Sequence, residues 1–475
     1  MLPPVIVTFM FISFTCGENP AIQVTLTDKG LQYGKNVVAG WVQERLKLVT
    51  IPDITGKIGY GIIGIDYTLT GITITKCDLP QPSVQFYQDI GGFKTSISGL
   101  SVALSGGWMT KFGIIHDGGS FNMAIFNMDV TSVVELGKDA NGHLSVTSVH
   151  CDAHIGDEKI KFHGGAGWII QQLVDYFKGH IKGEIEGTIC PFVKESIVTL
   201  EDHLQAMNVS FDVDEAFTFD LSLTGAPLIN ASSMNLGLKG ELYDIKTHTD
   251  PPFEAQPFTL PEQLGYMLSV GLSEFTLNSA SYGLYSAGWL KALITDRMIP
   301  SQFPVRLNTS SMGPYIPQLP KMFPGLLMNL HVYARELPMF SFHPSVVKLG
   351  FPSVVKAFAI QPNGTQTPLF KLNVDSEFSG KVWIVGGKLN GSMSLDNYTL
   401  TLVASEVGPF KTDTLERCTR LGMMMALLKL NEALDKGVDL PRMRHAQLVN
   451  TVLSVEEGFI AVSSDAQVLT DRGFN

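Results

Sequence analysis

The sequence contains little charge and no long hydrophobic run. Only 17% of its 475 residues are Asp, Glu, Lys or Arg, whereas 45% are hydrophobic. This balance excludes an intrinsically disordered chain, which combines few hydrophobic residues with a high net charge. No stretch reaches the roughly 20 uninterrupted apolar residues of a transmembrane helix, so we predict no transmembrane anchor. A chain of this length is expected to form two domains, with either large cores or spare apolar surface that lines a cavity.

The motifs of common enzyme classes are also missing. There is no Gly-x-Ser-x-Gly elbow to expose a nucleophilic serine, although His163-Gly-Gly-Ala-Gly167 resembles the oxyanion loop of some esterases. There is no phosphate-binding loop, no dinucleotide fingerprint and no basic stripe that would suit nucleic acid. His150, Cys151 and His154 lack a second pair of metal ligands. We therefore predict no enzyme activity, no metal, no cofactor and no nucleic-acid partner.

Cysteine is scarce as well, with five in the whole chain. Cys16 lies in an apolar N-terminal segment, which leaves four cysteines and three ways to form two bridges. Cys151 and Cys190 flank one long helical segment and are the first choice for a bridge between a strand and a helix. Such a loop would stabilise the fold by about 3 to 4 kcal/mol through chain entropy.

The N-terminal segment and the glycosylation sequons both indicate a secreted protein. Residues 1–17 combine an apolar run with small residues near its end, which is typical of a cleaved signal peptide. Six Asn-x-Ser/Thr sequons are glycosylation candidates, a number that favours an extracellular location: Asn208, Asn230, Asn308, Asn363, Asn390 and Asn397.

Apolar residues recur at helical spacing in two parts of the first half. Leu31, Val38 and Val42 share one face between residues 27 and 51, where Asp28 is a candidate cap. A longer helix is predicted between residues 167 and 207, with a kink or break at Cys190-Pro191 because proline lacks a backbone donor. Its apolar stripe consists of Ile181, Ile185, Ile189, Phe192, Val193, Ile197, Leu200 and Leu204.

Between these helices, residues 58–148 alternate apolar and polar side chains and predict an antiparallel meander. Asp117-Gly118 and Asn141-Gly142 are the most hairpin-like turns, because such pairs tolerate positive φ. A proline-rich segment at 249–262 then predicts an extended linker between domains at 18–248 and 263–475. After it, a helix at 274–295, further strands to residue 407 and a helix at 412–436 repeat the order of the first half.

Several short motifs spread over the chain resemble the bactericidal/permeability-increasing and lipopolysaccharide-binding protein family. They include Asn19-Pro20, Lys29-Gly30-Leu31-Gln32-Tyr33, Ile51-Pro52-Asp53, Gly167-Trp168, Asp250-Pro-Pro-Phe253, the segment from Ser269 to Ser281, Ala287-Gly288, Met298-Ile-Pro300 and Leu440-Pro441. Each motif alone is only weakly specific for the family, but together they are quite specific. They also fit the branch named BPI-fold-containing family C.

The resemblance implies an α+β fold shaped like a boomerang. Each of two pseudo-symmetric barrels would be a twisted antiparallel sheet packed with long helices, and a central sheet would join them. An apolar pocket in each barrel would hold phospholipid, and the family's disulfide would fall on Cys151 and Cys190. The helix faces expected near the pocket carry Leu31, Val38, Val42, Ile181, Ile185 and Ile189.

The charge pattern departs from that of relatives that bind lipopolysaccharide through a basic tip. Residues 19–250 contain 16 Lys and Arg against 26 Asp and Glu, whereas residues 251–475 contain 18 of each. The candidate headgroup contacts at the tip are Arg45, Lys47, Lys57, Lys111 and Trp108. The four cations could instead be ordinary surface charges, and Trp108 could be either an interfacial anchor or a partly buried strand residue.

Three functions follow from these patterns. The protein could recognise bacterial lipopolysaccharide or the outer membrane in innate immunity, and the family resemblance favours this function. It could instead carry phospholipid or neutral lipid outside cells, which needs pockets but no cationic tip and agrees better with the charge. A third alternative is an interaction module in which bound lipid is merely structural.

Overall fold

A computed structural model describes residues 18–46, 50–59, 64–213, 217–245, 249–301, 303–440 and 446–468. The side chains of residues 38–46, 50, 178–181, 184, 446 and 468 lie outside this description. The proposed signal peptide at 1–17, Lys47 and Pro441 therefore fall outside the described residues. No described helix is long and apolar enough to cross a membrane.

The described residues of the first half form two helices and thirteen strands. The helices are α1 (Asp28–Leu46) and α2 (Gly167–Gln205). The strands are β1 (Ile22–Thr27), β2 (Thr50–Ile51), β3 (Ile54–Ile58), β4 (Ile65–Asp78), β5 (Ser83–Tyr87), β6 (Gly92–Phe112), β7 (Ile115–Lys138), β8 (Leu144–His163), β9 (Ser210–Asp212), β10 (Phe217–Asp220), β11 (Leu228–Ile229), β12 (Ser233–Leu238) and β13 (Glu241–Asp244).

The second half repeats this alternation of sheet and helix. Its helices are α3 (Glu274–Ser286), α4 (Gln318–Met322) and α5 (Asp413–Lys436), with one 3-10 turn at Asp296–Met298. Its strands are β14 (Leu268–Ser273), β15 (Lys291–Thr295), β16 (Met328–Ala334), β17 (Met339–His343), β18 (Val346–Ile360), β19 (Gln366–Val385), β20 (Lys388–Ser405), β21 (Val438–Asp439), β22 (Ala446–Val455) and β23 (Phe459–Val468).

Each half is built on an antiparallel seven-stranded sheet. The first has the order β2-β4-β6-β7-β8, with β3 on β4 and β5 on β6, and the second has the order β15-β16-β18-β19-β20-β21, with β17 on β18. Helix α2 lies along β8, and α5 lies along β20. The predicted α+β class, with an antiparallel sheet and long helices in each half, is confirmed.

A central sheet joins the two halves. Its order is β11-β12-β1-β14-β23-β22, so strands from the beginning, middle and end of the chain pair side by side. Strand β1 pairs with β12 on one side and with β14 on the other. Between residues 249 and 267 there is neither helix nor strand, as expected for a segment rich in proline. The exact domain bounds at 18–248, 249–262 and 263–475 remain predictions.

Several predicted details are wrong. Helix α2 continues through Pro191, so the predicted break is wrong, whereas the alternative of a kink stays a prediction. Helix α3 ends at Ser286 rather than near residue 295. Asp28 lies in the first turn of α1 instead of preceding it. Asp117-Gly118 lies inside β7, because the hairpin turns earlier, at Gly113 and Ile114. The turn at Asn141-Gly142 and the helix predicted at 412–436 are confirmed.

Candidate functional site

The longest helix of the first half is fastened to the edge of the first sheet by a disulfide. Strand β8 ends the sheet, and α2 runs beside it. The bridge joins Cys151 of β8 to Cys190 in the middle of α2, with 5.6 Å between their Cα atoms. The predicted pairing is therefore confirmed. Cys418 in α5 is a free thiol, and burial raises its pKa.

Two carboxylates of α2 add further links along the same edge. The backbone N–H of Ile155 donates to Oε1 of Glu186 at 2.6 Å, and that of Val146 donates to Oε2 of Glu201 at 2.6 Å. An edge strand presents unpaired backbone groups, which other chains can pair with unless something covers them. The helix therefore closes an open sheet edge through its acidic side chains. His154 lies 3.4 Å from Glu186 and adds to the same link.

The first turns of α2 fill the interior of the first sheet. Ile169, Leu173 and Phe177 are buried there together with Trp108 and Phe162. The rings of Phe162 and Phe177 lie 5.6 Å apart, and the ring of Trp108 meets Phe162 edge-on at 6.1 Å. This part of the interior is a packed core rather than an open tunnel, because aromatic side chains occupy the space beneath the helix.

A cavity of about 180 Å³ remains where α2 passes β8, between the packed first turns and the Glu186 link. Ile160 and the two helix residues form its apolar wall, and two charged side chains stand beside them. Its lining is Glu158, Lys159, Ile160, Val174 and Phe177. Among the described residues, this seam between helix and strand is one place where an apolar ligand could reach apolar side chains of the first half. We call it the α2–β8 seam.

The second half contains a cavity of about 280 Å³ on strands β18, β19 and β20. It lies where the pairing of β18 with β19 shifts register between Ala357 and Phe358. Its lining is Lys356, Ala357, Phe358, Pro368, Phe370, Lys371, Ala404 and Glu406. Ligand pockets of proteins usually hold roughly 300 to 1,000 Å³. Both cavities are below that range, so a long acyl chain requires them to widen.

The helix faces expected near a pocket lie against the interior wherever their side chains are described. Ile185 and Ile189 pack against the core of the first sheet. Leu31 packs against a separate cluster that contains Phe86 and Leu136. The side chains of Val38, Val42 and Ile181 lie outside the described residues. In the same stripe, Phe192 and Leu200 are exposed, so only part of the predicted apolar face is buried.

Two of the predicted tip cations come together on the outer face of the sheet, but an acidic residue lies between them. Lys57 pairs in register with Asp66, Asp66 pairs with Lys111, and Lys111 pairs with His116. Residues that are directly opposite on neighbouring strands share a face, so these four exposed side chains form one row of mixed charge. The side chain of Arg45 and all of Lys47 lie outside the described residues. The described part of the tip therefore carries no concentrated basic patch.

Trp108 is not an interfacial anchor. It is only 1% exposed, and its indole N–H donates to the carbonyl oxygen of His163 at 3.1 Å. Among the described residues, an exposed aromatic residue at this end is Trp168, in the first turn of α2, whose ring meets Phe112 edge-on at 6.0 Å. Sequence reasoning missed this pair because it placed the hairpin turn at Asp117-Gly118. The apolar run from Phe112 to Ile115, interrupted only by a glycine, was the available signal.

The sequons differ in accessibility. Asn208, Asn230, Asn363 and Asn397 are exposed, and Asn308 is half-buried. Asn390 is buried, and its amide donates to the carbonyl oxygen of Asp435. A glycan on Asn390 would displace this contact, so the folded protein does not suit that modification. Among the described residues, no group of three or more His, Cys, Asp or Glu side chains is placed to hold a metal.

Two family models match the chain. The N-terminal domain of the LBP / BPI / CETP family matches residues 30–207, and the C-terminal domain of the same family matches residues 211–468. Bactericidal permeability-increasing protein of Sebastes schlegelii is 36% identical over 459 residues, which are 96% of this chain and 97% of that protein. Human lipopolysaccharide-binding protein is 26% identical over 473 residues, 98% of each chain.

One further relative and one solved structure complete the comparison. The mouse BPI fold-containing family C protein is 25% identical over 463 residues, 96% of this chain and 90% of that protein, so the similarity does not single out that branch. A crystal structure of lipopolysaccharide binding protein superposes with a TM-score of 0.58 at 24% identity, over 95% of this chain and 100% of that one, and so shares the fold. The chain belongs to the LBP / BPI / CETP family.

Proposed function

We propose that this protein is an extracellular, non-enzymatic lipid-binding protein that holds lipid acyl chains between sheet and helix. The observation that carries the proposal is the cavity of the α2–β8 seam, which opens on the apolar side chains of Ile160, Val174 and Phe177. The cavity of the second half lies on strands β18, β19 and β20 without a residue of α5, so it is a separate candidate place for apolar groups. Membership of a family with relatives named for lipopolysaccharide binding supports a lipid ligand.

Burial of hydrocarbon supplies the affinity. Each methylene removed from water contributes about 0.8 kcal/mol, so one or two acyl chains bind tightly without many polar contacts. At about 180 Å³ the seam is too small for a whole chain, so α2 must separate from β8 as lipid enters. Glu158 and Lys159 stand at the cavity, where they can meet a phosphate and a choline or amine headgroup.

The names of the relatives favour bacterial lipopolysaccharide as the lipid, and with it a role in innate immunity. Bactericidal permeability-increasing protein and lipopolysaccharide-binding protein match nearly the whole chain. A second candidate function, carriage of phospholipid or neutral lipid between particles, is favoured by the charge. The row of Lys57, Asp66 and Lys111 is mixed, and residues 19–250 contain ten more acidic than basic residues. Anionic lipid A would gain little from such a surface.

An extracellular location agrees with the disulfide, because such bridges persist mainly in oxidising compartments. The four exposed sequons and the apolar segment at residues 1–17 point to the same compartment. Phospholipid is the partner that we expect in either case. If the protein acts in innate immunity, lipopolysaccharide or the bacterial outer membrane is a second expected partner.

Native mass spectrometry of the secreted full-length protein tests lipid binding. We expect a species that is heavier than the polypeptide by one or two phospholipids, and organic extraction should release them. Ile160→Trp fills the seam and should reduce the bound lipid, with Val174→Phe as a milder second variant. Val149→Trp, on an exposed position of β8, is the matched control. A lipid-free protein before extraction, or equal lipid content in all variants, would contradict the proposal.

Salt dependence separates the two ligand classes. If lipopolysaccharide binds through Arg45, Lys47, Lys57 and Lys111, its affinity should fall steeply as salt rises, and alanine at these positions should abolish it. Transfer of labelled phosphatidylcholine between vesicles should not respond to either change. If lipopolysaccharide binding changes neither with salt nor in the alanine variant, these four cations do not bind the lipid headgroup.

A further inference from the structure

The ion pair between Lys239 and Glu241 satisfies only one oxygen of a buried carboxylate. Glu241 begins β13 and is only 2% exposed. Its Oε2 accepts from Nζ of Lys239 at 2.9 Å, whereas its Oε1 is buried and accepts no hydrogen bond from the described residues. A carboxylate that is removed from water needs donors on both oxygens to offset its lost hydration. This position therefore suits a second donor, and a positively charged donor suits it best.

Further carboxylates surround the same ion pair. Asp220 of β10 lies 3.7 Å from Nζ of Lys239. Burial raises the pKa of the Glu241 carboxyl, Lys239 opposes this rise, and the nearby negative charges of Asp250 and Glu18 add to it. We call Glu18, Asp220, Lys239, Glu241 and Asp250 the junction cluster, which contains four acidic side chains and one basic side chain. Such a cluster attracts a further cation.

The first described residues of the chain run past this cluster. Ile22 pairs with Leu238 in an antiparallel ladder, so the residues before Ile22 lie beside those that follow Leu238 and lead into β13. Ala21 is fully buried, and the side-chain amide of Asn19 donates to the carbonyl oxygen of Ala255 at 3.1 Å. The chain is therefore held in place as far as Asn19, next to the acidic residue at position 18.

Secretion would create a positive charge at this point. The apolar segment at residues 1–17 is predicted to be a signal peptide, so a signal peptidase would hydrolyse the peptide bond between Gly17 and Glu18. Hydrolysis consumes one water molecule and, after proton transfer, leaves a carboxylate on Gly17 and an ammonium on Glu18. This ammonium has three N–H donors and belongs to the same residue as one carboxylate of the junction cluster.

An ammonium fits the junction cluster better than a metal ion does. Among the described residues, no group of three or more His, Cys, Asp or Glu side chains is placed to hold a metal. Lys239 already lies between Asp220 and Glu241, and its charge would repel a divalent cation. A single ammonium needs only one carboxylate oxygen at hydrogen-bond distance.

We infer that the α-ammonium of Glu18, created when residues 1–17 are removed, donates a hydrogen bond to Oε1 of Glu241 and pairs with the junction cluster. The inference rests on the proposed extracellular location, because only a secreted chain undergoes this cleavage. Strand β1, which follows the new terminus, pairs with β12 of the first half and with β14 of the second half. The contact therefore fastens the beginning of the chain where the two halves meet, and the uncut precursor lacks it.

The reactivity of the new terminus tests the inference. The first residue of the secreted full-length protein is identified by mass spectrometry, and its α-amine is labelled with a trace of acetic anhydride at pH 7. A carboxylate partner favours the protonated amine, so we expect acetylation about tenfold slower than in a free peptide with the same first five residues. Glu241→Gln should restore the rate of the peptide. Glu262→Gln removes an exposed carboxylate of the linker and is the matched control, which should keep the slow rate.

Unfolding provides a second measurement that leaves Glu241 unchanged. A secreted form with Gly-Ser inserted before Glu18 moves the ammonium away from the junction cluster. Its unfolding equilibrium constant at pH 7, measured in guanidinium, should be about tenfold larger than that of the native form, by linkage to the same proton. Because the contact raises the pKa of the ammonium, this difference is complete below the ordinary pKa and disappears as the pH rises through the raised one. In Glu241→Gln the inserted residues should change nothing.

Three results would overturn the inference. These are acetylation of the native terminus at the rate of the peptide, equal stability of the native and extended forms at pH 7, or a stabilisation by calcium that Glu241→Gln abolishes. If the first residue of the secreted protein is not Glu18, the predicted cleavage fails together with this inference. If it is Glu18 but its amine reacts as in the peptide, this inference alone fails. Lipid binding is tested separately by native mass spectrometry, because neither the inserted residues nor Glu241→Gln alters the α2–β8 seam.

Discussion

Removing the disulfide should both destabilise the first half and speed the entry of lipid. The bridge between Cys151 and Cys190 closes a loop with a sequence separation of 39 residues. Constraining such a loop in the unfolded chain contributes about 4 kcal/mol in the chain-entropy model. Replacing both cysteines by serine should therefore lower the free energy of unfolding by up to about 4 kcal/mol.

The same bridge lies on the α2–β8 seam, so its loss should also affect function. Glu186 and Glu201 still accept from the backbone of β8 in the variant, so α2 remains folded against the sheet. Separation of the helix from the strand becomes easier once the covalent link is gone. We therefore expect faster uptake of fluorescent phosphatidylcholine from donor vesicles, with a similar amount bound at the end.

Guanidinium denaturation and stopped-flow uptake measure the two effects. Cys418→Ser is the control, because that thiol lies in the second half and forms no bridge. An unchanged unfolding free energy in the double variant would refute the loop-entropy reasoning. Reduced stability with unchanged or slower uptake would show that lipid does not enter between α2 and β8.

Three further outcomes are expected. Trp108→Ala should destabilise the first half by about 3 to 5 kcal/mol in denaturation, because it empties a fully buried site; a loss below about 1 kcal/mol would mean that the core there is not packed as described. Glu186→Ala should speed hydrogen exchange of the Ile155 amide by about 10- to 100-fold, because it removes the stabilisation that a hydrogen bond to a charged group provides. Unchanged exchange would mean that the carboxylate does not protect this strand edge. Lys29 holds the pKa of Asp465 below its ordinary value of 3.8 by donating a hydrogen bond, so this pair adds stability above that pH and loses it as the pH falls through the lowered pKa. Lys29→Met should thus cost up to about 1 kcal/mol at pH 7 in thermal melts, and a cost that persists when Asp465 is protonated would point to packing instead.

Features that depend on residues close together in sequence were predictable. The helix at 413–436 follows from its apolar spacing, and the turn at Asn141-Gly142 follows from a dipeptide that tolerates positive φ. The pairing of Cys151 with Cys190 was predictable because both cysteines flank a long helical segment and because the family resemblance implies the same bridge.

Predictions failed where two local signals competed. Asp117-Gly118 has the composition of a hairpin turn, yet the tighter turn at Gly113 and Ile114 sets the register, and Asp117 instead binds the backbone of Ala166. Pro191 signals a kink or a break, but the helix is unbroken, and Ile189 before the proline and Ile197 after it both pack against buried clusters of the first half. The sequence left Trp108 open between an interfacial anchor and a partly buried strand residue; the structure buries it and exposes Trp168, which the sequence did not single out as an anchor.

The sequence by itself determined the family, the α+β class, the helix and sheet alternation of both halves, and the acidic balance of the first half. These follow from composition, periodicity and short motifs, which need no knowledge of contacts between distant residues. Only the tertiary structure decided which apolar residues fill the core and which remain exposed. Burial depends on strand register and on where α2 meets β8, and a shift of one residue moves a side chain to the opposite face of the sheet. For that reason the α2–β8 seam, the mixed row of charge, the burial of Trp108 and the exposure of Trp168 became visible only in the folded molecule.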